Sequence, residues 1–110
     1  MEVLGRGNEA IYVYHFKNYE DNTDDYFYPC KVGMSKSNVI NRIKQQVQTS
    51  SPEQPIIDLV VFCDNGRKLE SAIHAILKLY NREIKSATGI EWFNTTGDEV
   101  KNLCSLLRII

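Results

Sequence analysis

Cysteine is sparse and unpatterned in this chain. The three thiols, Cys30, Cys63 and Cys104, are scattered, odd in number and include no Cys-x-x-Cys pair. Neither a zinc site nor a disulfide framework is expected from them. They read as buried thiols in a reducing compartment, which makes the expected location cytosolic. Long apolar runs are lacking too, and none approaches the roughly 18 residues of a membrane span. The opening Met1-Glu2-Val3-Leu4-Gly5 does not have the basic start of a secretion signal. With no internal repeat, low-complexity tract or linker, the 110 residues suit a single domain, 1–110, around one modest core.

An excess of charge of one sign is the next absence. Thirteen Lys/Arg stand against fourteen Asp/Glu, a net charge of −1, so the total gives no pull toward nucleic acid. The distribution is uneven, however. Glu20, Asp21, Asp24 and Asp25 lie together with no base among them, whereas residues 31–85 carry nine Lys/Arg against five Asp/Glu, a local +4. A basic working region can coexist with an acidic loop; excess lysine on helices is also what a solvated face looks like.

Apolar residues are ordinary in number, 43%, and informative in their spacing. Residues 1–9 read as a loose lead-in. Residues 11–16, β-branched and aromatic, predict a strand, and the polar, acidic 18–25 a loop. Residues 26–35 alternate around Tyr28, Cys30, Val32 and Met34 and predict a second strand paired to the first, with Pro29 at its start or on an edge. Ser37 or Asn38 can cap a helix whose stripe is Val39, Ile40, Ile43 and Val47. Residues 56–63 are the most apolar run and predict a buried central strand. A long amphipathic helix is expected from about Arg67 to Lys85, with Leu69, Ala72, Ile73, Ile76, Tyr80 and Ile84 inward. Glu91-Trp92-Phe93 predicts a short strand. A last helix is expected over 97–109 with Val100, Leu103, Cys104 and Leu107 inward. The expected fold is α+β: a small, mostly antiparallel sheet of three or four strands flanked by about three helices.

Several side chains in this frame can carry chemistry. Glu70 lies about 100° from Leu69 around the helix, on the shoulder of the apolar stripe, with His74 one turn on. A Glu and a His at that spacing converge above the helix, and one carboxylate suits Mg²⁺ or Mn²⁺ when water and phosphate complete the shell. The alternative is a solvated Glu beside a boundary His. Arg42 lies off its helix's apolar stripe, where a guanidinium can grip a phosphate or simply snorkel. Lys31 is a charge inside an apolar strand and must face solvent or a cleft; Gly33 beside it leaves room for a close approach. Tyr12 and Tyr14 share one strand face, where a phenol can take part in proton transfer or pack as core. His15 carries no specific signal.

Taken in order, these segments resemble the GIY-YIG nuclease superfamily, specifically its phage-type branch. The resemblance rests on Ala10-Ile11-Tyr12-Val13-Tyr14, Lys31-Val32-Gly33-Met34-Ser35, Arg42, the Glu70-x-x-x-His74 helix and Glu91-Trp92-Phe93, and it covers residues of about 10–105. It implies a metal-dependent endonuclease acting on DNA with Mg²⁺ or Mn²⁺. Tyr12 would take a proton from the attacking water, and Arg42 would clamp the scissile phosphate. Glu70 would hold the metal, with His74 beside it. Lys31 occupies the place where the family usually has a second tyrosine, and Ala10 stands where the family name has glycine. Gly33, Ser35 and Asn94 are further candidate substrate contacts. One site in one domain implies nicking, since cutting two strands needs a homodimer or two visits. A relative that has lost catalysis would instead bind nucleic acid or a protein partner.

Overall fold

The computed structural model describes residues 1–20, 26–47, 54–85 and 92–110. Ten elements follow one another: β1 (Glu2–Gly5), β2 (Glu9–His15), α1 (Lys17–Glu20), β3 (Tyr28–Ser35), α2 (Val39–Val47), β4 (Ile56–Cys63), α3 (Gly66–Leu79), β5 (Glu83–Ile84), β6 (Trp92–Thr95) and α4 (Gly97–Leu106). The strands form one six-stranded sheet in the order β1-β4-β2-β3-β6-β5. β1 runs parallel to β4 and every other pair is antiparallel, so the sheet is mixed.

The fold is thus α+β, but its sheet is larger than the expected three or four strands. The two additions are edge strands. β1 comes from the supposed lead-in and β5 from the supposed end of the long helix. Neither has an apolar run to announce it, because an edge strand is held by backbone pairing more than by burial. β1 alternates between half-buried and exposed. Its ion pair with α4, Lys101 Nζ to Glu2 Oε2 at 2.7 Å, is about 40% exposed on both sides and contributes about 0–1 kcal/mol. What admits β1 is the turn that follows it. Gly5 and Gly7 have φ of +79° and +146°, and a Cβ on either would run into the backbone of Phe62 or Cys63. The chain therefore crosses the end of β4 in backbone contact and returns as β2 on its other side.

Both faces of the sheet are covered. Ile11, Val13, Val32, Leu59, Val61 and Phe93 pack under Leu69, Ile73 and Leu77 of α3 and Val100, Leu103 and Cys104 of α4. On the opposite face, Ala10, Tyr12, Tyr14, Phe16 and Val60 pack under Val39 and Ile43 of α2. Trp92 sits edge-on to Tyr14 and Tyr19 at the α1 end of that face. β4 is the expected interior strand, and Pro29 stands second in β3, outside the span that pairs with β2.

Four details differ from the periodicity. Lys17–Glu20 forms one helical turn where a loop was expected; residues 21–25 of the acidic segment lie outside the described residues. Ile40 is 38% exposed and Leu107 40%, so neither is core; the side chain of Val47 lies outside the described part of the structure. α3 stops at Leu79 rather than running to Lys85. Asn81 adopts φ 59°, its N–H bonds Lys78 O, and the N–H of Arg82 bonds Leu77 O at 2.9 Å. That pair of bonds closes a helix with a left-handed residue, a position asparagine tolerates. Tyr80 is consequently half exposed, Ile84 moves into β5, and Leu77, absent from the expected stripe, is fully buried.

Gly7→Ala is expected to destabilise the domain by about 2 kcal/mol or more, from the positive φ and the clash with Cys63 together. Urea unfolding measures the loss, and hydrogen exchange should show β1 amides losing protection first.

Candidate active site

Strand register brings four of the candidate residues, Tyr12, Lys31, Gly33 and Ser35, to one face. Tyr12 is opposite Gly33, Tyr14 opposite Lys31 and Ala10 opposite Ser35. Directly paired residues share a face, so Lys31, Gly33 and Ser35 lie on the α2 side with the tyrosines. Gly33 is indispensable there: a Cβ on it would come within 2.5 Å of Tyr12 Oη and 2.6 Å of Cζ. The Tyr12 ring occupies the space that any other residue at 33 would fill. The Tyr12 and Tyr14 rings stack, with centroids 6.0 Å apart and planes 12° from parallel.

α2 completes this face. Asn38 caps it, accepting from Asn41 N at 3.2 Å. Val39 and Ile43 face the tyrosines, leaving Arg42 on the exposed side. Arg42 is close enough for its charge to be felt at Tyr14. Burial pushes the Tyr14 phenol up to about 12, the neighbouring Tyr12 adds to this, and the Arg42 guanidinium offsets part of it. Both phenols are sealed from solvent, Tyr12 at 0% and Tyr14 at 4% exposure. Ser35 is buried and turned to local work, its hydroxyl donating to Ser37 O and accepting from Ser37 N, each at 3.2 Å.

Glu70 and His74 arrive from the other face. α3 packs on the opposite side of the sheet, beside β3. Beyond Cys30 the outer edge of β3 has no strand partner among the described residues, and His74 Nε2 donates to the Val32 carbonyl there at 2.7 Å. The ring also packs on Phe93, centroids 4.8 Å apart. The start of α3 is fixed as well: Asn65 Oδ1 accepts from Lys68 N at 3.1 Å and Glu9 Oε1 from Gly66 N at 2.7 Å. Gly66 abuts Met34. Glu70, half-buried, stands one helical turn before His74 on α3. Glu91 lies outside the described residues. Asn94 pairs with Pro29, on the same face as Lys31 but about 13 Å along β3 from Gly33. It is exposed, and its backbone carbonyl accepts from Arg82 at 3.2 Å.

Among the described residues no three His, Cys, Asp or Glu side chains cluster to hold a metal ion.

The sequence reading passed over one polar cluster. His15 is 2% exposed, and both ring nitrogens face carboxylates: Nδ1 to Asp58 Oδ2 at 2.6 Å and Nε2 to Glu20 Oε1 at 2.8 Å. Asp58 reaches it through an irregularity in β4: Val13 pairs with Leu59 but Tyr14 with Ile57, which leaves Asp58 as the extra residue of a bulge. Burial raises the Asp58 carboxyl, while the His15 bond and charge draw it back. The available signal was an acid within the most apolar run and a histidine within an aromatic strand, which strand pairing brings face to face.

A buried tyrosine pair packed under α2 and a Glu-x-x-x-His helix packed on the other face belong to one small α+β domain. The family model for the T5orf172 domain matches residues 9–108. The chain belongs to that family, a phage-associated domain related to GIY-YIG-like nucleases. Neither curated proteins nor solved structures yielded a match. Among the described residues no helix is long and apolar enough to cross a membrane.

Two outcomes follow. An unfolded Tyr14 loses its proton near pH 10, whereas the folded one holds it to about 12. Stability is therefore full below pH 10 and falls as pH rises through 12, by up to about 1.4 kcal/mol per pH unit for this group. Alkaline urea titrations should show a shallower fall in Tyr14→Phe. His15→Ala, which removes the partner of Asp58, should lower stability by about 2–3 kcal/mol at neutral pH; equal urea midpoints for variant and parent would show the cluster to be inert.

Proposed function

We propose that this domain is a metal-dependent endonuclease that hydrolyses DNA phosphodiester bonds, one strand at a time. The observation that carries the reading is the convergence at β3. Tyr12 and Tyr14 are paired with Gly33 and Lys31, Arg42 is near enough for its charge to act on Tyr14, and His74, one helical turn after Glu70, donates to the Val32 carbonyl of the same strand. Membership of the T5orf172 family supports it.

Each residue has a physical task in this reading. Arg42, exposed and always charged, grips the scissile phosphate and offsets charge on the transition state. Lys31, in the place of a second tyrosine, adds a fixed positive charge beside the phosphate. Glu70 is the protein's ligand to Mg²⁺ or Mn²⁺, which when bound polarises the phosphate and stabilises the leaving oxygen. His74 fixes the helix against Val32 and so fixes where Glu70 stands. Tyr12 acts as base only in its phenolate form, taking the proton of the attacking water to become the phenol. Gly33 and Ser35 act inward, Gly33 by seating the Tyr12 ring and Ser35 through its bonds to Ser37, while exposed Asn94 is an outlying contact on the same face.

One observation favours a second reading, a module that binds nucleic acid or a protein and does not cut. Tyr12 is 0% exposed, so its phenol meets water only if the α2 face opens. The two readings separate in one experiment. Supercoiled plasmid incubated with the protein and Mg²⁺ or Mn²⁺ should relax to open circle, and Glu70→Ala should slow this by about 10²–10³-fold or more, on the scale of losing a transition-state contact. Intact plasmid under every metal, with salt-dependent DNA binding retained, would establish the second reading instead.

A further inference from the structure

The two shoulders of α3 serve different surroundings. Glu70 and His74 occupy the one along β3. Lys68 and Ala72 each stand two residues from Glu70, about 200° around the helix axis, and line a cleft on the far side. The cleft, about 530 Å³, lies between the first turns of α3, the turn after β1 and the C-terminal turn of α4. That volume takes a few side chains of a ligand.

Its lining has a distinct chemistry. Ala72, Leu107 and Ile109 give it an apolar wall, and Arg6, Lys68 and Arg108 surround that wall with positive charge. Asp64 is the one carboxylate among the lining residues, so the cleft carries a net +2 in a chain of net −1. Among the described residues no carboxylate lies within ion-pair distance of the three cations. Leu107 and Ile109 are each 40% exposed, next to Leu106 at 77% and Ile110 at 39%. Arg108 holds φ 60°, fixed by its N–H to Ser105 O at 3.0 Å and by Ile109 N to Cys104 O at 2.9 Å. Glycine would hold that position with about 1 kcal/mol less strain. The same left-handed closure ends α3 at Asn81, and here it places Arg108 among the residues lining the cleft.

We propose that this cleft docks an acidic peptide segment of a partner protein. One bulky apolar side chain of the segment seats on Ala72, Leu107 and Ile109, and flanking carboxylates meet Arg6, Lys68 and Arg108. Charge complementarity selects the occupant: the cations call for an anion, and the apolar wall calls for side chains that a phosphate backbone does not supply. The site is independent of any cleavage at Glu70.

A short fluorescein-labelled peptide of Asp and Glu around a central Leu-Phe pair tests this by anisotropy, with the full chain as receptor. Binding at about 10–100 µM is expected, the affinity of a small, wet interface. The double variant Lys68→Glu/Arg108→Glu changes only exposed residues and should weaken it about tenfold or more, with unchanged circular dichroism. Replacing Leu-Phe by Ser-Ser in the peptide should weaken it comparably, and Glu70→Ala should leave it intact. The proposal is overturned if the charge-reversal variant or the Ser-Ser peptide binds as well as the parent, or if the peptide does not bind at all. It is equally overturned if a DNA duplex, and not the peptide, depends on Lys68 and Arg108, or if those residues prove to hold two copies of the chain together in sedimentation.

Discussion

The seating of the Tyr12 ring on Gly33 sets the register on which the rest of the domain depends. β2 is bonded along both edges and covered on both faces, with Ile11 and Val13 in one core and Ala10, Tyr12 and Tyr14 in the other. In a strand with one polar face, a one-residue slip would move charges inward and be rejected outright. β2 has no such face. Each buried aliphatic side chain contributes about 1.5–3 kcal/mol, but a slipped strand could recover much of that. What it could not recover is room for the Tyr12 ring, since every neighbour of Gly33 on β3 carries a side chain. The His15–Asp58 contact at 2.6 Å adds a polar lock at the other end, because slippage would leave a buried imidazole and a half-buried carboxylate without each other.

Once β2 is in register, the candidate site follows from the pleat. Tyr12, Tyr14, Lys31 and Gly33 share a face because they are paired or two apart, and α2 covers that face because Val39 and Ile43 do. The position of Glu70 needs a separate constraint. α3 belongs to the opposite core and could slide along it, since Leu69, Ile73 and Leu77 make an ordinary apolar stripe. Directional bonds prevent this: Glu9 of β2 holds the Gly66 N–H of its first turn, and His74 holds its third turn to the Val32 carbonyl. His74 thereby satisfies an edge carbonyl that has no strand partner among the described residues.

These origins explain what could be read in the sequence. β2, β4 and the start of α3 were legible because burial writes a period into the side chains. The juxtaposition of Tyr12 and Gly33 was visible only as two motifs, and its steric meaning required the register. β1 and β5 left no trace, because backbone pairing is blind to side-chain pattern. The end of α3 was misplaced for a related reason: Tyr80 and Ile84 continue the apolar spacing, and only the left-handed geometry at Asn81 interrupts it. His15 escaped notice because its partners are 5 and 43 residues away, and a bulge, invisible in composition, turns Asp58 toward it.

The anchoring of α3 also bears on how its two shoulders could communicate. A bound segment can shift an equilibrium only by its differential affinity for two states. With its first turn capped, its third turn bonded to β3 and its end closed by the Asn81 and Arg82 bonds, α3 has one well-defined seat. A segment gripping Lys68 and Ala72 would find the helix already placed and would gain little by moving it. Its effect would be electrostatic and spatial: it would cancel the positive charge of the far shoulder and tether the domain, without altering how Glu70 is held. Division of labour across one rigid helix therefore fits this architecture better than allosteric control through it.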